Sequence, residues 1–468
     1  MADSQRLAPA EKAVRQAPFL PAKGLMGHLN ALRHDPLTLI AEANRQHGDA
    51  VWIRLGPLKV LFLFHPEAVQ HILVHKVQQY TKRTRGYAVL KLLLGEGLVT
   101  SDGPLWRRQR RIAQPAFVPK SIGRFAEQMV QCADDLGKRW EQQAQEHAKI
   151  DVAADMMALT LRIACLTLFS YDPAPPGQDS RAETDQVAEA VTALLHHFNR
   201  LVVDPWPWPG KLPTAANREF NRYVAVLDKM VTRLVTERRQ AGDPGEDLLG
   251  MLLSARDPDT GEAMDDRQLR DEILTMLLAG HETTANALNW VFHLMALNPH
   301  EAQLLDMELE TVLPNRRLPT RADVANLPHL TRVIQESMRL MPPVWILGRR
   351  AEQDDVVAGV QVPKGTWVYL CQYQTQRHPE FWPDPEKFDS MRFAHKREGL
   401  ARYAWFPFAT GQRACIGEHF AMLESQLLLA TLWPRVRMRH VDVKTVELDP
   451  SITLRPRHGL WMHVEPRQ

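Results

Sequence analysis

The chain has 468 residues, with 57 Lys and Arg against 55 Asp and Glu, leaving a formal charge of +2. Hydrophobic residues make up 45% and charged residues 24%, the balance of an ordinary globular protein. The near-neutral charge excludes the strongly basic balance of a nucleic-acid binder, and a chain this long buries an ample core without a disulfide or metal staple.

The start, Met1 to Gln16, is polar and lacks the apolar stretch of a signal peptide; residues 1–17 are expected to be flexible. No run approaches the ~20 apolar residues that span a bilayer, since Val60–Phe64 and Leu427–Trp433 are far too short. A soluble protein without a membrane anchor is expected. Pro18–Gly24 is an extended lead-in, because each proline biases its neighbour away from helix. Asp35–Gln46 has helical spacing, and Val51–Leu55 with Leu58–Phe64 predict a hairpin around Gly56-Pro57. From Gly103 to Met251 the pattern is mostly helical, broken at Tyr171–Gly177 and at Asp204–Pro213. The second break carries two tryptophans and is either a packed loop or a hydrophobic entrance to a site.

A long helix is predicted over Asp266–Leu297, stopped by Asn298-Pro299 and running about 48 Å at ~1.5 Å per residue. Another covers Leu327–Leu340. Val356–Val362 and Thr366–Leu370 form a second β region, a helix follows Gly417 to about Trp433, and Val436–Val464 is strand-like. Neither repeats nor low-complexity linkers mark a domain boundary. The four cysteines, Cys132, Cys165, Cys371 and Cys415, are too far apart for a disulfide framework or zinc knuckle, which favours a reducing, cytoplasmic compartment.

The most informative stretch is Phe408-Ala409-Thr410-Gly411-Gln412-Arg413-Ala414-Cys415-Ile416-Gly417. A cysteine just before a helix sits where amide N–H groups and the helix dipole favour the thiolate. Gly411 and Gly417 would let the backbone approach a flat ligand closely, and Arg413 can extend to an anionic group on it. On physics alone Cys415 is a nucleophile or a metal ligand. In the long helix, Ala279-Gly280-His281-Glu282-Thr283-Thr284 is a polar, small-residue interruption. The Thr283 hydroxyl can bond back to the Ala279 carbonyl and open the helix locally. A zinc-protease pattern fails there, because Ala285 stands where a second histidine is required.

The spacing Phe-x-x-Gly-x-Arg-x-Cys-x-Gly resembles the haem-binding signature of the haem-thiolate monooxygenases, the cytochromes P-450. The departure is Ala409, where many members carry glycine. The resemblance extends from about Pro18 to the C-terminus. It implies one mainly α unit over residues 1–468 with small β-sheets: a triangular helical domain holding haem b between the long central helix and the Cys-loop helix. It also implies Cys415 as the axial iron ligand, a ligation already known for the family. Phe408, Gly411, Gly417, Ala279 and Gly280 would surround the cofactor, and Glu282 with Thr283 would be the acid–alcohol pair that delivers protons. Trp106-Arg107-Arg108-Gln109-Arg110-Arg111 looks like the family's propionate helix. Arg110, Arg349 and Arg413 form the expected propionate set, with Trp106 beside them. Glu336, Arg339 and Arg392 resemble a buried structural network, although Ser390-Met391 departs from the usual pattern.

Positions resembling substrate contacts are Tyr87, Leu90, Leu93, Leu94, Leu277, Val344, Trp345, Ile346 and Ile452. Almost all are apolar, so the implied substrate is a fatty acid, terpenoid or steroid-like molecule, hydroxylated or epoxidised with O₂. The short stretch after Cys415 has no room for a flavin or ferredoxin module. Electrons are expected from a separate ferredoxin or flavodoxin with its NAD(P)H reductase, docking on Arg107, Arg108 and Arg111 of a monomer. The alternatives are a haem-thiolate peroxygenase or isomerase, which would work without a reductase, and a non-catalytic haem or ligand-binding protein.

Overall fold

The computed structural model describes residues 14–22, 24–172, 186, 189–191, 193–194, 197–198, 201, 213–242, 245–257 and 259–467. The Asp204–Pro213 loop lies outside the described residues except for Pro213, as do residues 173–177 of the earlier break.

The central helix spans Asp266–Leu297, the range its apolar periodicity predicts. Asp265 caps it by accepting the Gln268 amide at 2.7 Å, and Asn298-Pro299 ends it. Apolar residues lie on all its sides, so it runs through the core. Its largest packing partner is the helix Val152–Phe169. That helix corrects the expectation that no apolar run is long enough for a bilayer: its 18 residues suffice by length and composition. Eleven of them, including Leu159, Ile163 and Leu168, are buried in the core, which accounts for its apolar character. The Cys-loop helix, Glu418–Leu432, packs on the central helix and on the helix Ala126–Gln145.

In chain order the strands are β1 (Ala50–Leu55), β2 (Leu58–Leu63), β3 (Tyr80–Thr81), β4 (Lys149–Asp151), β5 (Leu347–Ala351), β6 (Asp355–Val357), β7 (Val360–Val362), β8 (Trp367–Leu370), β9 (Val436–His440), β10 (Leu448–Pro450), β11 (Leu454–Pro456) and β12 (Trp461–Pro466). The hairpin of β1 and β2 turns at Gly56, with φ of +61°, and pairs Leu55 with Leu58. One sheet has the order β1-β2-β8-β5-β3, with β2 and β8 parallel. Local periodicity cannot show that join across 300 residues of chain. The C-terminal strands recruit β4 into the order β4-β12-β9. Of the start expected to be flexible, residues 1–13 lie outside the described residues, whereas Arg15 pairs with Val360 and Ala17 is buried.

The Glu336–Arg339 pair, on the helix Pro328–Leu340, is fully buried at 0% exposure for both side chains. Arg339 Nε and Nη2 donate to the two Glu336 oxygens at 2.7 and 2.9 Å. The same guanidinium donates to the carbonyls of Gln376, Pro385 and Lys387. Arg392 Nε lies 3.4 Å from Glu336 Oε1, completing the expected trio. Burial pushes the Glu336 carboxyl up, and the two guanidinium groups pull it back. Removing one partner leaves a buried charge uncompensated. Arg339→Met should therefore cost about 3–5 kcal/mol in urea unfolding, and adding Glu336→Gln to it should restore part of the loss.

Candidate functional site

Two segments supply the candidate groups: the middle of the central helix and the loop that precedes the Cys-loop helix. On the central helix, Ala279 is exposed, and Gly280 and Thr283 are partly so, while His281, Glu282 and Thr284 between and beside them are buried. Positions i, i+1 and i+4 share one helical face, so an accessible strip is let into an otherwise buried helix. A methyl group added at Gly280 would have nothing within 4 Å. Thr283 Oγ1 donates to the Ala279 carbonyl at 2.8 Å, as its spacing predicts. The predicted local opening is absent: the helix stays continuous through this segment, because Thr283 and Thr284 bond back to carbonyls without displacing the ladder.

Glu282 does not share that strip. It is buried and accepts from Thr453 Oγ1 at 2.7 Å, and Thr453 in turn accepts from Asn286 Nδ2 at 3.0 Å. Burial raises the Glu282 carboxyl, and the Thr453 bond lowers it. The residues around Thr453 are zipped to the segment after Pro342-Pro343: Leu454 N donates to the Pro343 carbonyl at 2.8 Å and Trp345 Nε1 to the Ser451 carbonyl at 2.9 Å. Val344, Ile346 and Ile452, all partly accessible, are thereby gathered next to the central helix. Leu90 is also partly accessible. Leu93, Leu94, Leu277 and Trp345 are corrections, being core residues with 5%, 4%, 0% and 6% exposure. Tyr87 is partly accessible, and its hydroxyl is held by Arg349 Nη1 at 3.0 Å.

The second segment is the cysteine loop. Cys415 N donates to the Phe408 carbonyl at 2.8 Å, closing the loop just before its helix. Phe408 packs at the edge of the core beneath it. Cys415 is solvent-accessible. Desolvation by the surrounding protein pushes its thiol up, and the Gly417 amide and the Arg110 guanidinium pull it down. Gly411 has another purpose than ligand approach: its φ is +74° and a methyl group there would lie 2.2 Å from the Leu73 carbonyl oxygen. Ala409 also has positive φ, +56°, the left-handed region in which a side chain costs about 1 kcal/mol.

The cations divide into two groups. Arg110 Nη1 donates to the Ala414 carbonyl at 2.8 Å, beside the cysteine. Arg349 and Arg413 instead share a site with Lys82, which the sequence gave no signal for. Arg413 pairs with Asp102 and lies 4.7 Å over the Trp106 ring. Lys82 is buried, donates to the Leu98 carbonyl at 3.2 Å, and is lowered by burial and by the charges of Arg349 and Arg413. Glu272, pushed up to about 7 by burial, accepts the Leu98 amide from the far side. Three crowded cations with Asp102 as the one carboxylate bonded to them among the described residues call for a further anion. Of the expected docking cations, Arg108 and Arg111 are corrections: both reach Asp257, at 3.1 and 3.2 Å. Arg107 alone of the three is exposed without such a bridge to Asp257.

Haem fits this donor set. A thiol raised by burial becomes a thiolate when a metal ion takes the proton's place. The Lys82, Arg349 and Arg413 cluster supplies positive charge for two propionates, and the open space at Gly280 leaves room on the central helix.

A family model described as Cytochrome P450 matches residues 16–462. Cyclooctatin synthase of Streptomyces melanosporofaciens is 35% identical over 446 residues, covering 95% of this chain and 94% of that protein. Cyclooctat-9-en-7-ol 5-monooxygenase of the same organism is 34% identical, covering 90% and 89%. Pentalenene oxygenase of Streptomyces avermitilis is 32% identical, covering 92% and 91%. Among solved structures, the cytochrome P450DA heme domain superposes with a TM-score of 0.86 at 28% identity, covering 97% of this chain and 99% of that one.

Two measurements check the electrostatics and strain of the loop. Ala409→Gly relieves the left-handed alanine and should raise unfolding stability by about 1 kcal/mol. Glu424, on the Cys-loop helix, touches Thr284 and is pushed up to about 8 by burial. The folded protein then keeps a proton that the unfolded chain releases, so stability falls as pH rises from the ordinary 4.5 toward 8. Glu424→Gln should flatten that decline by up to ~1.4 kcal/mol per pH unit, read from urea midpoints across the range.

Proposed function

The chain belongs to the cytochrome P450 family and is a monooxygenase with haem b as its cofactor; from that premise we propose that its substrate is a terpenoid, hydroxylated or epoxidised at an unactivated carbon. The observation that carries the substrate class is the pair of names shared by its relatives: two act in the making of cyclooctatin and one on pentalenene, and both compounds are terpenoids. Val344, Ile346, Ile452 and Leu90 offer such a molecule apolar surface.

Bound haem supplies the reductive activation of O₂. The chain's own residues bind, orient and supply protons. Cys415 would hold the iron. Thr283 presents its hydroxyl on the central helix, beside the space left by Gly280. Glu282, held by Thr453 behind the strip, is the titratable group next in sequence to that hydroxyl. A proton reaches Thr283 from Glu282 through water. Lys82, Arg349 and Arg413 would hold the propionates, with Arg349 steadied by the Tyr87 hydroxyl, while Arg110 braces the Ala414 carbonyl next to Cys415. The enzyme is read as soluble, with electrons arriving from a separate ferredoxin or flavodoxin and its reductase.

The test is a panel of cyclic terpene hydrocarbons and alcohols, incubated with the enzyme, a ferredoxin, its reductase and NAD(P)H. One-oxygen products from terpenes, and none from fatty acids, are expected. Turnover of fatty acids alone would overturn the substrate class, and equal turnover with peroxide and no reductase would favour a peroxygenase. Thr283→Ala should keep haem and substrate binding but divert most reducing equivalents to hydrogen peroxide. Fully coupled product formation in that variant would remove Thr283 from proton delivery.

A further inference from the structure

Away from the cysteine loop, a cavity of about 460 Å³ opens beside the first hairpin, lined by Arg15, Asp49, His65, Glu67 and Glu380 together with apolar residues. Asp49 immediately precedes β1, His65 follows β2, and His378 and Glu380 follow the short helix Gln372–Thr375. The fold brings these three separate segments together here. Ligand atoms of Asp49, His65 and His378 all lie within 4.8 Å of one another. His378 Nε2 is 3.1 Å from Asp49 Oδ1, and His65 Nε2 is 3.5 Å from Glu380 Oε2. Glu67 Oε2 stands 4.0 Å from the His65 ring.

The local backbone fixes which nitrogens face inward. The Glu67 amide donates to His65 Nδ1 at 3.2 Å and the Glu380 amide to His378 Nδ1 at 3.3 Å. Both Nε2 atoms therefore point at carboxylates. The His65 ring is held edge-on against the His378 and Phe381 rings, with centroids 5.3 and 5.4 Å away. The His65 imidazole and three carboxylates line the cavity with Arg15 as its one lining cation, and His378 stands behind Asp49, to which it is bonded. Nothing in haem chemistry requires this arrangement, and none of its residues belongs to the cysteine loop.

We propose that Asp49, His65 and His378, completed by Glu380, form a binding site for a divalent transition-metal ion of the zinc class. Two imidazole nitrogens with one or two carboxylate oxygens are a donor set for such an ion, whereas calcium and magnesium prefer all-oxygen shells. Binding requires each ring proton to move from Nε2 to Nδ1, which breaks the two long amide bonds, and the metal takes the freed Nε2 lone pair. No other covalent or redox step is involved. The ion would tie the first hairpin to the segment carrying His378, two residues after Gln376, and so act as a structural clamp.

The experiment uses tag-free, haem-loaded protein, stripped with a chelator and titrated calorimetrically with zinc chloride, with magnesium chloride as the control. One equivalent of zinc should bind, magnesium should not compete, and the thermal midpoint should rise with zinc concentration. Asp49→Asn keeps the side-chain shape and should weaken zinc binding at least tenfold. His65→Gln should do the same. If His65→Gln folds poorly through loss of its cap on the helix Pro66–Gln70, Asp49→Asn and the exposed Glu380→Gln carry the comparison. Absence of saturable zinc binding in the wild type, or wild-type affinity in Asp49→Asn, would overturn the site.

Discussion

The fold depends on one buried charge pair. Glu336 and Arg339 lose all contact with water, and such a pair offsets its desolvation only if every remaining donor and lone pair is used. Here the surplus donors of Arg339 go to the carbonyls of Gln376, Pro385 and Lys387, and Glu336 also accepts the Asp389 amide at 2.9 Å. Irregular chain from 376 to 389 is thereby fixed by a helix far from it in sequence. Gln376 passes the constraint on, because its Oε1 accepts the Phe406 amide at 3.0 Å, and two residues later Phe408 receives the Cys415 amide. A helical ion pair thus sets the position of a sulfur that neither of its members touches.

The accessible strip on the central helix is built by subtraction as much as by placement. The central helix is buried along nearly its whole length, and only where Ala279, Gly280 and Thr283 share a face does accessible surface remain. Small side chains make the space, and the polar groups that would otherwise enter it are bound elsewhere: Glu282 to Thr453, His281 to the Leu277 carbonyl, Glu424 against Thr284. Thr283 is left as the hydroxyl in the strip. Positive charge is likewise sorted. Arg108 and Arg111 are neutralised at Asp257, while Lys82, Arg349 and Arg413 are gathered where few carboxylates oppose them.

What was legible in the sequence follows the range of the forces involved. The central helix, the first hairpin and the Cys-loop helix rest on local periodicity and turn chemistry, and they stand where the pattern put them. The parallel join of β2 to β8 was invisible, since strands carry no record of a distant partner. Motif residues behaved similarly. Spacing along a helix predicted the Thr283 bond to Ala279, but no spacing placed Lys82, Asp102, Thr453 or Glu424, which reach the site from other elements. Leu277 and Trp345 were misjudged because an apolar side chain has the same appearance in a pocket and in a core. Gly411 was read as making room for a ligand, whereas its hydrogen makes room for the Leu73 carbonyl.

The same logic decides between the two chemistries that Cys415 left open. A nucleophilic cysteine needs its thiolate lowered by the protein itself, through a nearby base or cation. In this chain the balance runs the other way: desolvation raises the thiol more than the Gly417 amide and Arg110 lower it, and Arg110 is already spent on the Ala414 carbonyl. No histidine is bonded to the sulfur among the described residues. Such a thiol is a poor nucleophile near neutrality but a good ligand, because a metal ion deprotonates it outright and then shares the burial that penalised the free anion. The loop is therefore organised for an electrophile supplied from outside. The Lys82 cluster makes the complementary statement, for its excess of positive charge is also balanced only when an anion arrives. One group carrying both a metal centre and two carboxylates answers both demands.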